Sequence, residues 1–162
     1  MQTTLHLAKQ NFKFSAAHFL IFDQHRAEML HGHNYQVQIE VVGAAAEGDD
    51  SSGYLIDFGV LKTLIKKKLD EWDEHILLPE KHPDMKFALS ASGQNYEINF
   101  RDRFYSFPTR EVIWLPINNT SVELLSYLLA QDFYEKFKTF KIEKVRVSVE
   151  ETSGQKAWVE VP

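Results

Sequence analysis

With 162 residues, 44% of them apolar, the chain has the length and hydrophobic content of one domain, residues 1–162, with a sizeable core. A net charge of −5 argues against a nucleic-acid partner held by general electrostatics, and no apolar run approaches the ~18 residues of a membrane span. No basic segment followed by an apolar stretch marks a secretory signal, so cytoplasmic residence is the expectation. Cysteine is absent, which excludes disulfides, thiolate metal ligands and a cysteine nucleophile at once.

Residues 5 to 43 read as strand, loop and strand, with Phe19 to Leu30 as the loop. Side chains two apart on a strand share a face. Phe12, Phe14 and Ala16 alternate with Lys13, Ser15 and Ala17, and His18 falls in step with the apolar set. After the loop, Tyr35, Val37, Ile39 and Val41 alternate with Asn34, Gln36, Gln38 and Glu40, and His31 and His33 again keep the apolar phase. Two neighbouring strands thus carry three histidines off the end of a buried face. Three imidazoles with a fourth position left open describe a catalytic zinc site. A cupin-type site would also use His-x-His, but it wants a glutamate on the same face, and Glu40 has the opposite parity.

Ala44 to Gly53 reads as a small acidic turn. Asp57 can cap the helix that follows. Val60, Leu61, Leu64, Ile65, Leu69 and Trp72 form its apolar stripe, opposite Lys62, Lys66, Lys67 and Glu71. That lysine run is a solvated face rather than a phosphate site. A stretch punctuated by prolines, Pro79 to Pro116, holds a hairpin made of Tyr96 to Phe100 and Arg103 to Phe107. A second helix starts near Thr120, where Thr120 to Glu123 has capping-box spacing, and buries Leu124, Leu125, Leu128, Leu129, Phe133 and Phe137. Strands at Ile142 to Glu151 and Gln155 to Val161 close the order β-β-α-(hairpin)-α-β-β. That order is an α+β domain, an antiparallel four-stranded sheet backed by two helices.

Several carboxylates stand out. Glu151 continues the inward phase of Val145, Val147 and Val149. A carboxylate on an apolar face is costly without partners. It is either past the strand's end or a recognition group for a flat, guanidine-like ligand edge. Glu28, three residues before His31, is a solvated loop residue or, beside zinc, a general base. Asp73, Glu74 and His75 close the first helix, as a complement to its C-terminus or as a proton relay.

Together these residues resemble the 6-pyruvoyl-tetrahydropterin synthase/6-carboxytetrahydropterin synthase family. Phe14-Ser15-Ala16-Ala17-His18 resembles its first ligand strand, and Leu30-His31-Gly32-His33-Asn34-Tyr35 its most diagnostic motif. Ile56 to Lys62 resembles its Asp-Phe helix start, Ser121-Val122-Glu123 its Thr-x-Glu start, and Glu151-Thr152 its pterin-anchoring Glu-Thr. The resemblance implies the tunnelling fold, a homohexamer (a dimer of trimers) with active sites between subunits, and Zn²⁺ on His18, His31 and His33. It also implies a pterin substrate, 7,8-dihydroneopterin triphosphate, held by Glu151 with Ser121, Glu123 and Thr152. The hairpin is an addition to the short family members.

Two departures shape the functional expectation. Family members making pyruvoyl- or carboxy-pterins place a catalytic cysteine before the His-Gly-His motif, four residues ahead of which stands Ala27 here. Glu28-x-x-His31-Gly32-His33 resembles instead the branch whose product is 6-hydroxymethyl-7,8-dihydropterin, a folate precursor. At the family's Asp-His pair, Asp73-Glu74-His75 matches either with Glu74 in the histidine's place or with His75 as the match. The leading expectation is therefore a zinc-dependent pterin lyase using Glu28. The alternatives are 6-pyruvoyl- or 6-carboxy-tetrahydropterin synthesis and a pterin-binding protein without turnover, and the resemblance implies a place in folate or queuosine biosynthesis. No basic cluster stands out as a phosphate site, and Arg26, beside the loop, is a weak candidate for one.

Overall fold

The structure, a computed structural model, describes residues 1–45 and 53–162. The acidic turn expected at Ala44 to Gly53 therefore falls mostly outside the described residues. In chain order the strands are β1 (Gln2–Leu7), β2 (Lys13–His18), β3 (His31–Ala44), β4 (His75–Pro79) and β5 (Met85–Leu89). They continue as β6 (Asn95–Phe100), β7 (Arg103–Pro108), β8 (Val112–Leu115), β9 (Ile142–Thr152) and β10 (Gln155–Val161). The helices are α1 (Phe58–Trp72) and α2 (Val122–Phe137). These elements form two compact units. One comprises Met1–Phe14, Asn34–Glu71 and Val122–Pro162, the other Ser15–His33 and Trp72–Ser121.

The first unit is built by alternation. Its strands run in the order β10-β9-β3-β1, every pair antiparallel. Val37 lies opposite Val149, Ile39 opposite Val147, and Val41 opposite Val145. All six are fully buried, so the apolar phases of two strands coincide in one row. The α2 helix packs on β9 and β10 and buries Leu125, Leu129, Ala130, Phe133 and Phe137. Ser126, also buried, spans helix and sheet: its hydroxyl donates to the Ala157 carbonyl and accepts the Val149 N–H, both at 3.0 Å. Asp57 Oδ1 accepts the Gly59 N–H at 2.7 Å and caps α1, as its position suggests. Leu61, Ile65 and Leu69 are fully buried on that helix. Lys62 and Lys67 are exposed and Lys66 pairs with Asp70, the solvated face expected of the lysine run, while the less exposed Lys68 pairs with Glu71.

The first strand of the sequence reading is two strands. A turn closed by Phe12 N–H to the Lys9 carbonyl, 3.0 Å, separates β1 from β2. The polar run Lys9-Gln10-Asn11 breaks the alternation there.

In the second unit, the end of β2 pairs in parallel with β4, Ala16 opposite His75, and β4 pairs in parallel with β8. The expected sheet was antiparallel throughout, so these short parallel pairs are a difference. Runs of four or five apolar residues such as His-Ile-Leu-Leu-Pro carry no period that tells strand from buried helix. The hairpin of β6 and β7 is present and gains a third strand, β5. This sheet closes a second core of Phe19, Ile21, Leu78, Met85, Ile98, Phe100 and Val112. No helix among the described residues is long and apolar enough to cross a membrane.

Candidate active site

The loop between β2 and β3 folds back on itself. Ile21 bridges Ala27, and Phe22 N–H donates to the Arg26 carbonyl at 3.0 Å. At its tip Asp23 accepts the N–H groups of His25 and Arg26, at 2.8 and 2.9 Å, and the Arg26 Nε–H at 2.8 Å. The His25 N–H, then the Arg26 side chain and N–H, hold the Asp23 carboxyl down at about 2. Arg26, the phosphate candidate, thus uses its Nε–H within its own loop. Asn119 fixes the base: its Oδ1 accepts the Ile21 N–H at 3.1 Å and its Nδ2 donates to the Ile21 carbonyl at 2.8 Å.

This fold-back brings the ends of β2 and β3 together with their histidines on one side. His18 is buried at 2% exposure, and His31 and His33 are half-buried. The ring centroids of His18 lie 5.0 Å from His31 and 5.3 Å from His33, with 4.6 Å between the last two. Their ligand atoms all fall within 4.8 Å of one another.

Hydrogen bonds set the tautomers. A carbonyl oxygen only accepts, so His18 Nδ1 donates to the Thr120 carbonyl at 3.1 Å and His31 Nδ1 to the Met29 carbonyl at 2.7 Å. Each bond leaves the Nε2 lone pair of a neutral ring available, the usual way an outer partner orients a metal-binding histidine. His31 Nε2 and His33 Nε2 stand 2.7 Å apart, and tetrahedral zinc ligands sit about 3.4 Å apart, so a fraction of an ångström of opening suffices. The donor set fits zinc.

Glu28 belongs to the same constellation. Its Oε2 accepts the Leu20 N–H at 3.0 Å and lies 3.7 Å from His31 Nε2. Its own N–H donates to the Leu20 carbonyl at 2.9 Å. The carboxylate is partly desolvated and stands beside the histidine nitrogens.

The other residues singled out in the sequence divide. Asp73 Oδ1 accepts the Ser15 N–H at 2.7 Å, and Glu74 N–H donates to the Ser15 carbonyl at 2.7 Å. Glu74 adopts a left-handed backbone, φ 59°, with an exposed side chain. His75 Nδ1 donates to the backbone carbonyl of Asp73 at 2.6 Å, not to its carboxylate. The trio is therefore fastened to β2 near His18, with His75 opposite Ala16. Ser121 is half-buried just ahead of α2, and Glu123 is exposed in its first turn. Glu151 is half-buried within β9, and Thr152 is exposed at its end. The strand thus extends past Glu151. The register shifts between the pairs Gln155–Thr152 and Lys156–Glu150, which puts Glu151 at a β-bulge. Bulges re-aim side chains and recur beside active sites.

Two participants escaped the sequence reading. Thr120 lies ahead of α2 rather than capping it: its carbonyl orients His18, and its hydroxyl donates to the Phe19 carbonyl at 3.1 Å. Arg103 Nη1 donates to the Glu28 carbonyl at 2.5 Å and Nη2 to the Ala27 carbonyl at 3.1 Å. A signal for Arg103 was present, since it shares strand parity with Tyr105 and Phe107.

A histidine triad at the ends of two strands, with a carboxylate beside it in an α+β frame, makes a candidate metal site of the kind that metal-dependent enzymes use. The family model of 6-pyruvoyl tetrahydropterin synthase matches residues 7–162, and the chain belongs to that family of pterin synthases. It is 38% identical over 113 residues to the 6-carboxy-5,6,7,8-tetrahydropterin synthase of Rickettsia felis, covering 68% of this chain and 75% of that one. The fold is similar to that of Plasmodium falciparum 6-pyruvoyl tetrahydropterin synthase, with TM-score 0.87, 32% identity, and 99% and 98% of the two chains covered. Solved structures of the Plasmodium vivax protein match at TM-score 0.88 and 30% identity over the same shares. They include variants in which a catalytic glutamate is replaced by alanine or by cysteine.

Proposed function

We propose that this enzyme is a zinc-dependent pterin lyase that converts 7,8-dihydroneopterin triphosphate to 6-hydroxymethyl-7,8-dihydropterin. The observation that carries the reading is Glu28, whose carboxylate stands 3.7 Å from His31 Nε2 in a chain with no cysteine. A catalytic glutamate in the Plasmodium vivax relative supports the same role.

Bound on His18, His31 and His33, zinc supplies Lewis acidity toward the oxygens of the pterin side chain. Glu28 takes the proton from the hydroxyl on the second side-chain carbon. The bond between the first two side-chain carbons then breaks, its electron pair staying on the first, which becomes the hydroxymethyl group once Glu28 returns the proton. The departing fragment is an aldehyde. Glu151, with Ser121, Glu123 and Thr152, holds the amino-pyrimidine edge of the ring. If Glu28 is not the proton carrier the role passes to His75 or Glu74, the Asp73 carboxylate being taken by the Ser15 N–H. The family resemblance supports a homohexamer, a dimer of trimers.

A second reading, 6-carboxytetrahydropterin synthesis, is favoured by the activity named for the Rickettsia felis relative. The missing cysteine weighs against it.

The zinc-loaded protein incubated with 7,8-dihydroneopterin triphosphate is expected to release the hydroxymethyl pterin, identified by mass. Glu28→Gln is expected to lower kcat by about 10²–10⁴ with zinc content unchanged, the usual size of a lost acid–base group. A carboxy- or pyruvoyl-pterin product would sink the lyase reading, and parental turnover by Glu28→Gln would remove that residue from the role.

A further inference from the structure

We propose that Arg103, carried by the inserted hairpin, is a positioning residue for Glu28. The inference rests on the reading of Glu28 as the proton carrier. Arg103 opens β7 on the face it shares with Tyr105 and Phe107, while Phe104 and Ser106 are exposed on the other. An arginine on an inward face is costly unless its donors are satisfied. Its two terminal nitrogens reach the carbonyls of consecutive residues, Ala27 and Glu28, at 3.1 and 2.5 Å. Its guanidinium carbon also sits 5.7 Å from the ring centres of Phe19 and Phe100.

The geometry of that grip gives it a purpose. Successive carbonyls of an extended chain point to opposite sides. Here both are taken by one planar fork, which ties the backbone of residues 27–28 at two consecutive points. The remaining bonds of Glu28 complete the clamp: its N–H goes to the Leu20 carbonyl and its Oε2 takes the Leu20 N–H. With main chain and one carboxylate oxygen held, the direction in which the side chain meets His31 Nε2 follows. Arg103 touches none of the reacting atoms and acts through the loop alone. Its neighbour Arg101 grips the same loop at the Asp23 carbonyl, 2.6 Å, while its Nε pairs with Asp84 at 2.8 Å. The hairpin is thereby a brace for the catalytic loop. A displacement of about 1 Å in a catalytic group costs on the order of 10²-fold in rate.

The test uses the zinc-loaded protein carrying Arg103→Met, which keeps the apolar stem and removes the fork, read by amide hydrogen exchange and steady-state kinetics. Exchange is expected to quicken across residues 20–30 while β9 and α2 keep parental rates. A kcat loss on the order of 10- to 100-fold, with KM near the parent, is expected alongside it. In a Glu28→Gln background the same substitution is expected to cost almost nothing further, because the positioned group is already gone. Unchanged exchange in the loop, or an equal fold-loss in both backgrounds, would overturn the proposal. Parental turnover by Glu28→Gln alone would instead overturn the proton-carrier reading, while loop exchange still judges Arg103 without reference to substrate. Should Arg103→Met fail to fold, Arg103→Lys serves the same two measurements, since one ammonium cannot bridge both carbonyls.

Discussion

The sheet of the first unit is held by rows of apolar side chains in register, whereas the loop of the second is held by single polar side chains reaching its backbone from afar. Val37, Ile39 and Val41 face Val149, Val147 and Val145, and any one of them is supported by its neighbours. The loop at residues 19–30 depends on Asn119 at Ile21, Arg103 at Ala27 and Glu28, and Arg101 at Asp23, partners 75 to 98 residues away. Apolar burial is non-directional and adds up by area. A hydrogen bond fixes one atom at one angle. The first kind of contact makes a stable frame, as the apolar core around Phe19 and Phe100 also does in the second unit, and the second aims single groups, which is why Glu28 is carried by a loop tied down through polar contacts.

That contrast can be broken at its extremes. The largest effect is expected from His31→Ala, or equally His18→Ala or His33→Ala. Each should abolish stoichiometric zinc, measured by elemental analysis, and turnover with it. The metal-free melting temperature should move little for His31→Ala and His33→Ala, whose rings are half-buried, and fall for His18→Ala, whose ring is buried and hydrogen-bonded to the Thr120 carbonyl. A variant that keeps full zinc would defeat the triad. Next comes Phe133→Ala in the apolar frame. Phe133 is fully buried and stacks on Phe137 at 5.7 Å, so its loss is expected to cost about 3–5 kcal/mol in denaturant unfolding. Zinc affinity measured under native conditions should stay at the parental value. If it fell as sharply as in the ligand variants, the division of labour would be wrong. The smallest effect sharpens the comparison, because it places a chemical role inside the frame. Glu151→Gln replaces an acceptor-only group with one that also donates. Losing one charged hydrogen bond of about 1.5–3 kcal/mol should weaken pterin binding roughly 10- to 100-fold in calorimetry, with zinc content and melting temperature kept. Unchanged affinity would free Glu151 from the anchoring role.

How much of this was legible follows the same division. Alternation placed His18, His31 and His33 on one buried phase, and the burial of β2 and β3 repeats that phase residue by residue. It also carried Glu151 inward from Val149, and the strand does run on to Thr152. The absence of cysteine directed attention to Glu28. The hairpin of β6 and β7 announced itself through its two runs, but β5 and the parallel pairs β2–β4 and β4–β8 did not. Four- and five-residue apolar runs have no usable period, and nothing local distinguishes a parallel partner from an antiparallel one.

By itself, then, the sequence determined whatever depends on local periodicity and residue chemistry: the α+β class, the apolar frame, the shared phase of the three histidines, and a carboxylate close ahead of them in a chain with no cysteine. Only the tertiary structure decided what depends on side chains meeting backbone across long stretches of chain. Thr120 orients His18 across 102 residues, Arg103 grips the loop of Glu28 across 75, and the Asp73 carboxylate holds Ser15 across 58. No pattern within a window of residues encodes such bonds, because each is fixed by where two distant elements end rather than by the repeat within either.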